Sequence, residues 1–232
     1  MFAIGHLNVK LLVAPMFGNL LNFVLQKGCA LCDRPTSESF CLDCQRRLER
    51  DRLSNPTEFW NQHPKLFVWG NYTDTLKRTI ARLKYDQHPE LATPLGEALA
   101  RSWLEANLTT NKLAIVPIPM HIEKQKQRGY NQAELISRAF CNLTGDLHQP
   151  FGLKRIRATE ALFNLSPKQR EQMLSQVFEI GKISRDRPVL LIDDIHTTGA
   201  TTRAAIEVLH RNRIRVMGIA VVAKPMFDRR SR

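Results

Sequence analysis

Residues 189–201 read Val189-Leu190-Leu191-Ile192-Asp193-Asp194-Ile195-His196-Thr197-Thr198-Gly199-Ala200-Thr201. The apolar run that ends in two carboxylates is too short for most helices and is typical of a strand buried in a parallel sheet. Residues 202–209, after a loop of hydroxyls and one glycine, have the apolar spacing of a helix. Ligands of open α/β sheets bind just beyond the carboxyl ends of strands. The order strand, acid pair, loop and helix therefore predicts an α/β fold with a ligand site at this point.

The loop between this strand and helix offers the groups that bind a phosphate. Backbone N–H groups at a helix start carry partial positive charge, the threonine hydroxyls add donors, and Gly199 permits a positive φ or a close backbone approach. Asp193 and Asp194 stand where carboxylates accept hydrogen bonds from a ribose diol or hold a divalent cation. The alternative is a capped helix start with both aspartates on a solvated loop. The full order of elements favours the phosphate site.

This arrangement resembles the 5-phosphoribosyl-1-pyrophosphate (PRPP) signature of type I phosphoribosyltransferases. In that family the acidic pair contacts the ribose hydroxyls, a role that the resemblance gives to Asp193 and Asp194. The following loop of the family wraps the 5′-phosphate. By the same resemblance, the phosphate-binding residues are Thr197, Thr198, Gly199, Ala200 and Thr201.

Four of the five cysteines form two Cys-x-x-Cys pairs that a short loop separates. Two such pairs place four thiolates around a zinc ion at about 2.3 Å. Disulfides are less favoured in a reducing cytosol, and a redox-active pair needs a thioredoxin-like context that this sequence lacks. We therefore predict a closed structural zinc site that folds a segment of about 30 residues without a core of its own. Its ligands are Cys29, Cys32, Cys41 and Cys44.

The chain is strongly basic, with 34 lysine and arginine residues against 22 aspartate and glutamate residues and a net charge of +12. This balance favours a polyanionic partner, such as nucleic acid, a phosphorylated small molecule or an anionic membrane surface. A solvated basic surface without a specific partner is the alternative. The loop between His121 and Gln132 is also basic, and we interpret it as an anion clamp over the phosphate site rather than an ordinary surface loop.

The sequence contains no run of about 18 apolar residues that would span a membrane, and the expected location is the cytoplasm. Residues 1–28 are apolar, but Pro15, Gly18 and two asparagines interrupt the run, and no small-residue cleavage site follows. A second hypothesis is that translation begins at Met16, which would make residues 1–15 an artefact.

Five motifs in order resemble the ComF/GntX family of competence proteins, across roughly residues 29–223. The motifs are the paired Cys-x-x-Cys knuckles, Leu83-Lys84-Tyr85, Val116-Pro117-Ile118-Pro119, Arg128-Gly129-Tyr130-Asn131-Gln132 and the site at 193–201. The resemblance implies a small zinc-ribbon-like module before a type I phosphoribosyltransferase-like parallel sheet with flanking helices. It also implies a role in natural transformation, in the handling of single-stranded DNA, with the DNA-uptake machinery as a candidate partner.

The corresponding domain prediction has four parts: an N-terminal segment (1–28), a zinc-binding module and linker (29–62), a phosphoribosyltransferase-like domain (63–226) and a basic tail (227–232). The chain departs from the family pattern at three places. Leu162 and Met173 replace a glutamine and an asparagine, and Asp86-Gln87-His88 replaces the glycine that often follows the Lys-Tyr element.

Two function hypotheses follow. The first is a DNA-handling competence factor whose site binds PRPP, or a phosphate of DNA, without necessarily turning it over. The basic surface of such a protein gives salt-dependent attraction to the DNA backbone. The second is an active phosphoribosyltransferase that uses Mg²⁺–PRPP and holds the pyrophosphate with backbone amides and with basic residues near Lys84 and Arg128. Its catalysis would be electrostatic and positional, and fold-level likeness does not establish turnover.

Overall fold

The computed structural model describes residues 28–157 and 177–226. Its centre is a five-stranded sheet in the order β1-β7-β6-β2-β3, in which all four neighbouring pairs are parallel. This confirms the predicted α/β class. The strands are β1 (Leu66–Asn71), β2 (Ala114–Pro117), β3 (Leu147–His148), β6 (Val189–Ile195) and β7 (Val216–Lys224). A separate antiparallel pair consists of β4 (Leu153–Arg155) and β5 (Phe178–Ile180).

Both faces of the sheet are covered, which explains why its strands are continuously apolar. Helices α2 (Asp74–Tyr85), α3 (Ala92–Ala106) and α5 (Gln132–Thr144) pack with Phe67 and Ile192 on one face. Helix α6 (Ala200–Arg211) and the antiparallel pair pack with Leu191 and Val221 on the other. Because strand side chains alternate between faces, neighbouring residues of β6 belong to different cores.

Two helices have features that local sequence explains. Helix α3 begins at Ala92, and Pro94 lies inside its first turn, where a missing N–H costs nothing. The basic segment expected to be a loop forms a short helix, α4 (Ile122–Arg128), none of whose residues is buried. Its glutamate, lysine, glutamine and arginine residues are good helix formers, so local propensity prevails without an apolar face.

The cysteine-rich segment lies against α2. Its second knuckle leads into α1 (Leu42–Arg50), and its buried residues Leu31, Phe40 and Leu48 belong to the same apolar cluster as Leu76 and Ile80 of α2. The segment therefore completes its small core by packing on the sheet domain.

Several predictions concern residues outside the described ranges: the N-terminal segment with its Met16 start, the departures at Leu162 and Met173, and the basic tail at 227–232. Within the described ranges, every helix is too short or too polar to cross a membrane.

Candidate functional site

The two aspartates at the end of β6 point to opposite faces of the sheet. Side chains alternate along a strand, so Asp194 lies on the same face as Ile192, toward α2 and α5. Asp193 lies on the same face as Leu191, toward α6 and the antiparallel pair. Asp194 is buried, with 3% of its surface exposed, and Asp193 is partly exposed. The carboxylate of Asp193 accepts a hydrogen bond from the Asp194 amide at 2.9 Å. Asp194 is thus the more deeply buried residue of the acid pair.

Asp194 is held by polar groups from two other elements. Its Oδ2 forms an ion pair with Lys84 Nζ at the end of α2, and its Oδ1 accepts a hydrogen bond from Gln132 Nε2 at 3.3 Å. Burial by itself would raise the pKa of Asp194, but the Lys84 ammonium outweighs this effect and holds the pKa below its ordinary value. Burial likewise opposes charge on Lys84, and Asp194 reverses that effect, so the pKa of Lys84 is raised. This pair is ionised at neutral pH.

Asp193 has the opposite electrostatic situation. Burial of its carboxyl, followed by the negative charge of Asp194, raises the pKa of Asp193 well above its ordinary value. Arg155 lies on β4. Burial lowers the pKa of Arg155, and the negative charge of Asp193 opposes that effect. Two neighbouring carboxyls with pKa values shifted in opposite directions are a common property of functional sites.

The predicted basic residue Arg128 reaches Asp194 indirectly. Its guanidinium donates to Gln132 Oε1, and Gln132 in turn donates to Asp194. Tyr130 Oη donates to the carbonyl of Leu83 at 2.5 Å, one residue before Lys84. The Lys-Tyr and Arg-Gly-Tyr-Asn-Gln motifs therefore meet at the acid pair, although they are far apart in sequence. Gln132 belongs to a sequence motif, but nothing in the sequence indicates its contact with Asp194.

The predicted phosphate loop lies beside these groups, between β6 and α6. Gly199 precedes α6 with φ of 74°, a left-handed conformation that favours glycine. A Cβ at this position would also stand 2.8 Å from His196 Nε2. Thr197 and Thr198 are exposed, Ala200 and Thr201 are partly exposed, and the first amides of α6 lack partners within the helix.

His196 directly follows β6, and its ring lies close to Gly199. Its amide donates to the Ala223 carbonyl at 2.9 Å, which continues the pairing of β6 with β7. Burial, then the positive charges of Lys224 and Arg203, lower the pKa of His196, so the ring is neutral at pH 7. A histidine in a loop carries no sequence signal that separates this packing role from a catalytic one.

The four predicted zinc ligands come together. The sulfur atoms of Cys29, Cys32, Cys41 and Cys44 all lie within 4.8 Å of one another. Tetrahedral thiolates at about 2.3 Å from zinc would be about 3.8 Å apart, and the Cys32 and Cys41 sulfurs are separated by 3.5 Å. Backbone hydrogen bonds outweigh the burial of Cys29 and lower its pKa to about 6, whereas burial and the neighbouring thiols raise the pKa of Cys44. The donor set therefore fits one zinc ion and leaves no open coordination position.

Helix α2 connects the cysteine cluster with the acid pair. Arg78 and Arg82 donate to the carbonyls of Leu31 and Ala30 in the first knuckle, and Lys84 follows at the carboxyl end of the same helix. At its other end, Asp51 Oδ2 accepts from the Leu76 amide at 2.7 Å. The position of the Lys84 side chain thus depends on contacts along the whole helix.

Comparison with known proteins gives three kinds of match. Residues 145–232 match the family model for the phosphoribosyl transferase domain. Three curated relatives are competence protein F of Haemophilus influenzae (27% identical; 78% of this chain and 89% of that protein), competence protein ComFC of Bacillus subtilis (29%; 78% and 70%) and DNA utilization protein YhgH of Salmonella typhi (26%; 79% and 84%). Among solved structures, an adenine phosphoribosyltransferase overlaps 78% of this chain and 89% of its own at 17% identity with a TM-score of 0.43, too low to support an inference.

Proposed function

Because the chain belongs to the ComF/GntX family, we propose that it is a ComF-like competence protein that assists natural transformation by handling incoming single-stranded DNA. We also propose that it binds PRPP, or a related sugar phosphate, at the carboxyl end of β6. The names of the relatives and the net charge of +12 support the nucleic-acid part. The proposal sets this activity in the cytoplasm, where reducing conditions keep the four cysteines available to zinc.

The observation that carries the sugar-phosphate part is the convergence at the acid pair. Asp193, a partly exposed residue, lies near the end of β6, which leads into a hydroxyl-rich loop whose Gly199 precedes α6 in a left-handed conformation. Anionic groups are stabilised by such a helix start, and a ribose diol is bound by carboxylates. In this proposal Asp193 contacts the ribose, and Asp194 contributes to the same edge while Lys84 and Gln132 hold it in place.

Magnesium fits this site only in combination with a ligand. Mg²⁺ is usually held by one or two carboxylates together with substrate phosphates, and Asp194 is already paired with Lys84. Asp193 is therefore the residue that we expect to hold the ion with a bound pyrophosphate. When present, the ion would neutralise phosphate charge, and the chain's own part would be to orient the ribose.

An active phosphoribosyltransferase is the second candidate, which the family-model match over residues 145–232 favours. In such an enzyme Lys84 and Arg128 would stabilise the leaving pyrophosphate after an adjustment of their present contacts, while Asp193 and Asp194 would orient the ribose toward an acceptor. Charge develops on both the ribose and the leaving group, so fixed charges at this edge would lower the barrier.

A binding experiment tests the proposal and separates its two parts. PRPP with Mg²⁺, and a labelled single-stranded oligonucleotide, are titrated against the wild type, Asp193→Asn and the exposed-acid control Asp186→Asn. We expect Asp193→Asn to weaken PRPP binding by at least ten-fold while the control binds normally. Asp194→Asn is a poorer probe because it also leaves Lys84 without its charged partner. If the wild type does not bind PRPP, the sugar-phosphate part of the proposal is refuted. Pyrophosphate release in the presence of a nucleobase would favour the enzyme.

A further inference from the structure

A cleft of about 560 Å³ lies between the segment that follows β2, helix α4 and the antiparallel pair. It is distinct from the loop at 197–201, which contributes none of its lining. Among the residues that line it are Met120, Ile122, Gln125, Phe151, Lys154 and Arg155. Neither the acid-pair site nor the zinc module accounts for this cavity.

The strand register places the cleft near the carboxyl end of β6, where we propose that the sugar phosphate binds. Pro117 of β2 pairs with Ile192 of β6, and the Ile118 amide donates to the Ile192 carbonyl at 2.9 Å. The chain then continues into Pro119 and Met120, which line the cleft and follow β2 at the level where β6 reaches its acid pair. Arg155 lines the cleft, and the negative charge of Asp193 opposes the lowering of the Arg155 pKa by burial. The cleft therefore lies close to the acid pair.

The cleft presents large apolar groups to solvent. Phe151 is 71% exposed and Ile122 is 55% exposed. The turn that carries Phe151 is fixed by backbone hydrogen bonds, from Gly152 to Gln149 and from Gly181 to Gly152. A side chain at Gly181 would collide with the Phe151 carbonyl, at 1.9 Å. The phenyl ring is thus exposed on a closely packed backbone. Binding a flat partner would therefore cost little additional backbone entropy.

The charge around the cleft favours an anionic partner. Lys154 and Arg155 supply two cationic groups to its lining, and the lining carboxylate of Glu134 faces Arg138 at 3.8 Å. An exposed aromatic ring beside cationic groups is the combination that binds single-stranded nucleic acids, because every base offers a π-face and every linkage a phosphate. A purely apolar peptide would gain nothing from the cationic groups.

We propose that this cleft binds a base of a single-stranded nucleic acid, with Phe151 stacking on the base and Lys154 facing an adjacent phosphate. This inference rests on the proposed function and deepens it by naming where the strand is held. A strand so placed would pass alongside the acid pair. It would leave the loop at 197–201 available for a separate phosphate.

The test uses the full chain with zinc and two probes, an oligo-dT of about 12 nucleotides and an abasic oligodeoxyribose phosphate of the same length. Phe151→Ala should weaken oligo-dT binding by about ten-fold or more, the usual effect of losing one stacking partner, and should leave abasic binding nearly unchanged. Lys154→Ala should weaken both probes and lower the slope of log Kd against log salt by about 0.7. The matched control is Leu104→Ala, which removes an apolar side chain, 51% exposed, from α3.

A fluorescent variant reports the contact directly. The native tryptophans are buried, with Trp60, Trp69 and Trp103 at 8%, 1% and 4% exposure, so Phe151→Trp adds an exposed fluorophore. Its emission should be quenched by oligo-dT and not by the abasic strand. If the wild type binds neither probe, the nucleic-acid part of the proposed function fails. If the wild type binds oligo-dT and Phe151→Ala binds it equally well, or the new tryptophan is not quenched, this inference alone is overturned and a protein partner becomes the better occupant.

Discussion

Replacing Lys84 with methionine tests the internal ion pair at the centre of the site. The Asp194 side chain is 4% exposed and the Lys84 side chain 18% exposed, so both charges are largely removed from water. Methionine keeps most of the apolar stem and removes only the ammonium. The remaining carboxylate keeps its hydrogen bond from Gln132 but loses its counter-charge.

The expected loss is about 3–5 kcal/mol of unfolding free energy at pH 7.5, the usual cost of leaving one partner of a buried pair alone. The loss should depend on pH. In the wild type, the depressed pKa of Asp194 contributes stability that is present above the ordinary aspartate pKa and is lost as the pH falls through the folded-state pKa. In the variant, unopposed burial should raise that pKa, so stability is retained at low pH and lost as the pH rises through the new value. The difference between the two proteins should therefore shrink between pH 7.5 and about pH 4.

Urea unfolding followed by far-UV circular dichroism at several pH values measures this difference. The matched control is Arg101→Met, which removes a cation from an exposed pair with Glu97 on α3 and should cost less than about 0.5 kcal/mol. The double variant Lys84→Met/Asp194→Asn should recover part of the loss, since removing both charges costs less than removing one. A loss below about 1 kcal/mol at pH 7.5, or one that does not change with pH, would contradict the assignment of Lys84 and Asp194 as a buried ionised pair.

Three further predictions concern other parts of the molecule. Metal analysis should find one zinc per chain, and Cys44→Ser should release it and make the module sensitive to protease, because metal binding supplies its folding free energy; zinc-free soluble wild type would disprove the site. Gly96→Ala should lower the thermal midpoint and cost about 1–3 kcal/mol, because a Cβ would stand 2.4 Å from the Ile136 carbonyl where α3 meets α5; an unchanged midpoint would show that the helices separate easily. Asp51→Ala should cost about 1 kcal/mol by removing the side chain that accepts from the Leu76 amide, with Asp51→Asn as the milder control in the same urea assay.

Local sequence was sufficient for the elements whose signals are local. The uninterrupted apolar run before Asp193 predicted β6, since a strand buried on both faces needs no polar alternation. The two Cys-x-x-Cys pairs predicted the cysteine cluster, because the turn within each pair already directs two sulfurs to one side. The segment at 122–128 was misjudged as a loop. Its polar composition hid a helix that depends on propensity and not on a buried face.

The relation between the motifs was decided by tertiary structure. Lys84 was expected near a pyrophosphate, and the fold pairs it with Asp194; Gln132, a motif residue without an assigned role, became the link from Arg128 to the acid pair. Such contacts depend on strand register and helix packing between distant segments, and neither is encoded in the residues around each motif. The exposure of the Phe151 ring was also decided by tertiary structure, because it depends on which surfaces the rest of the chain leaves uncovered. The sequence by itself determined which groups are present and on which local element each stands, and the packing of those elements determined which groups meet.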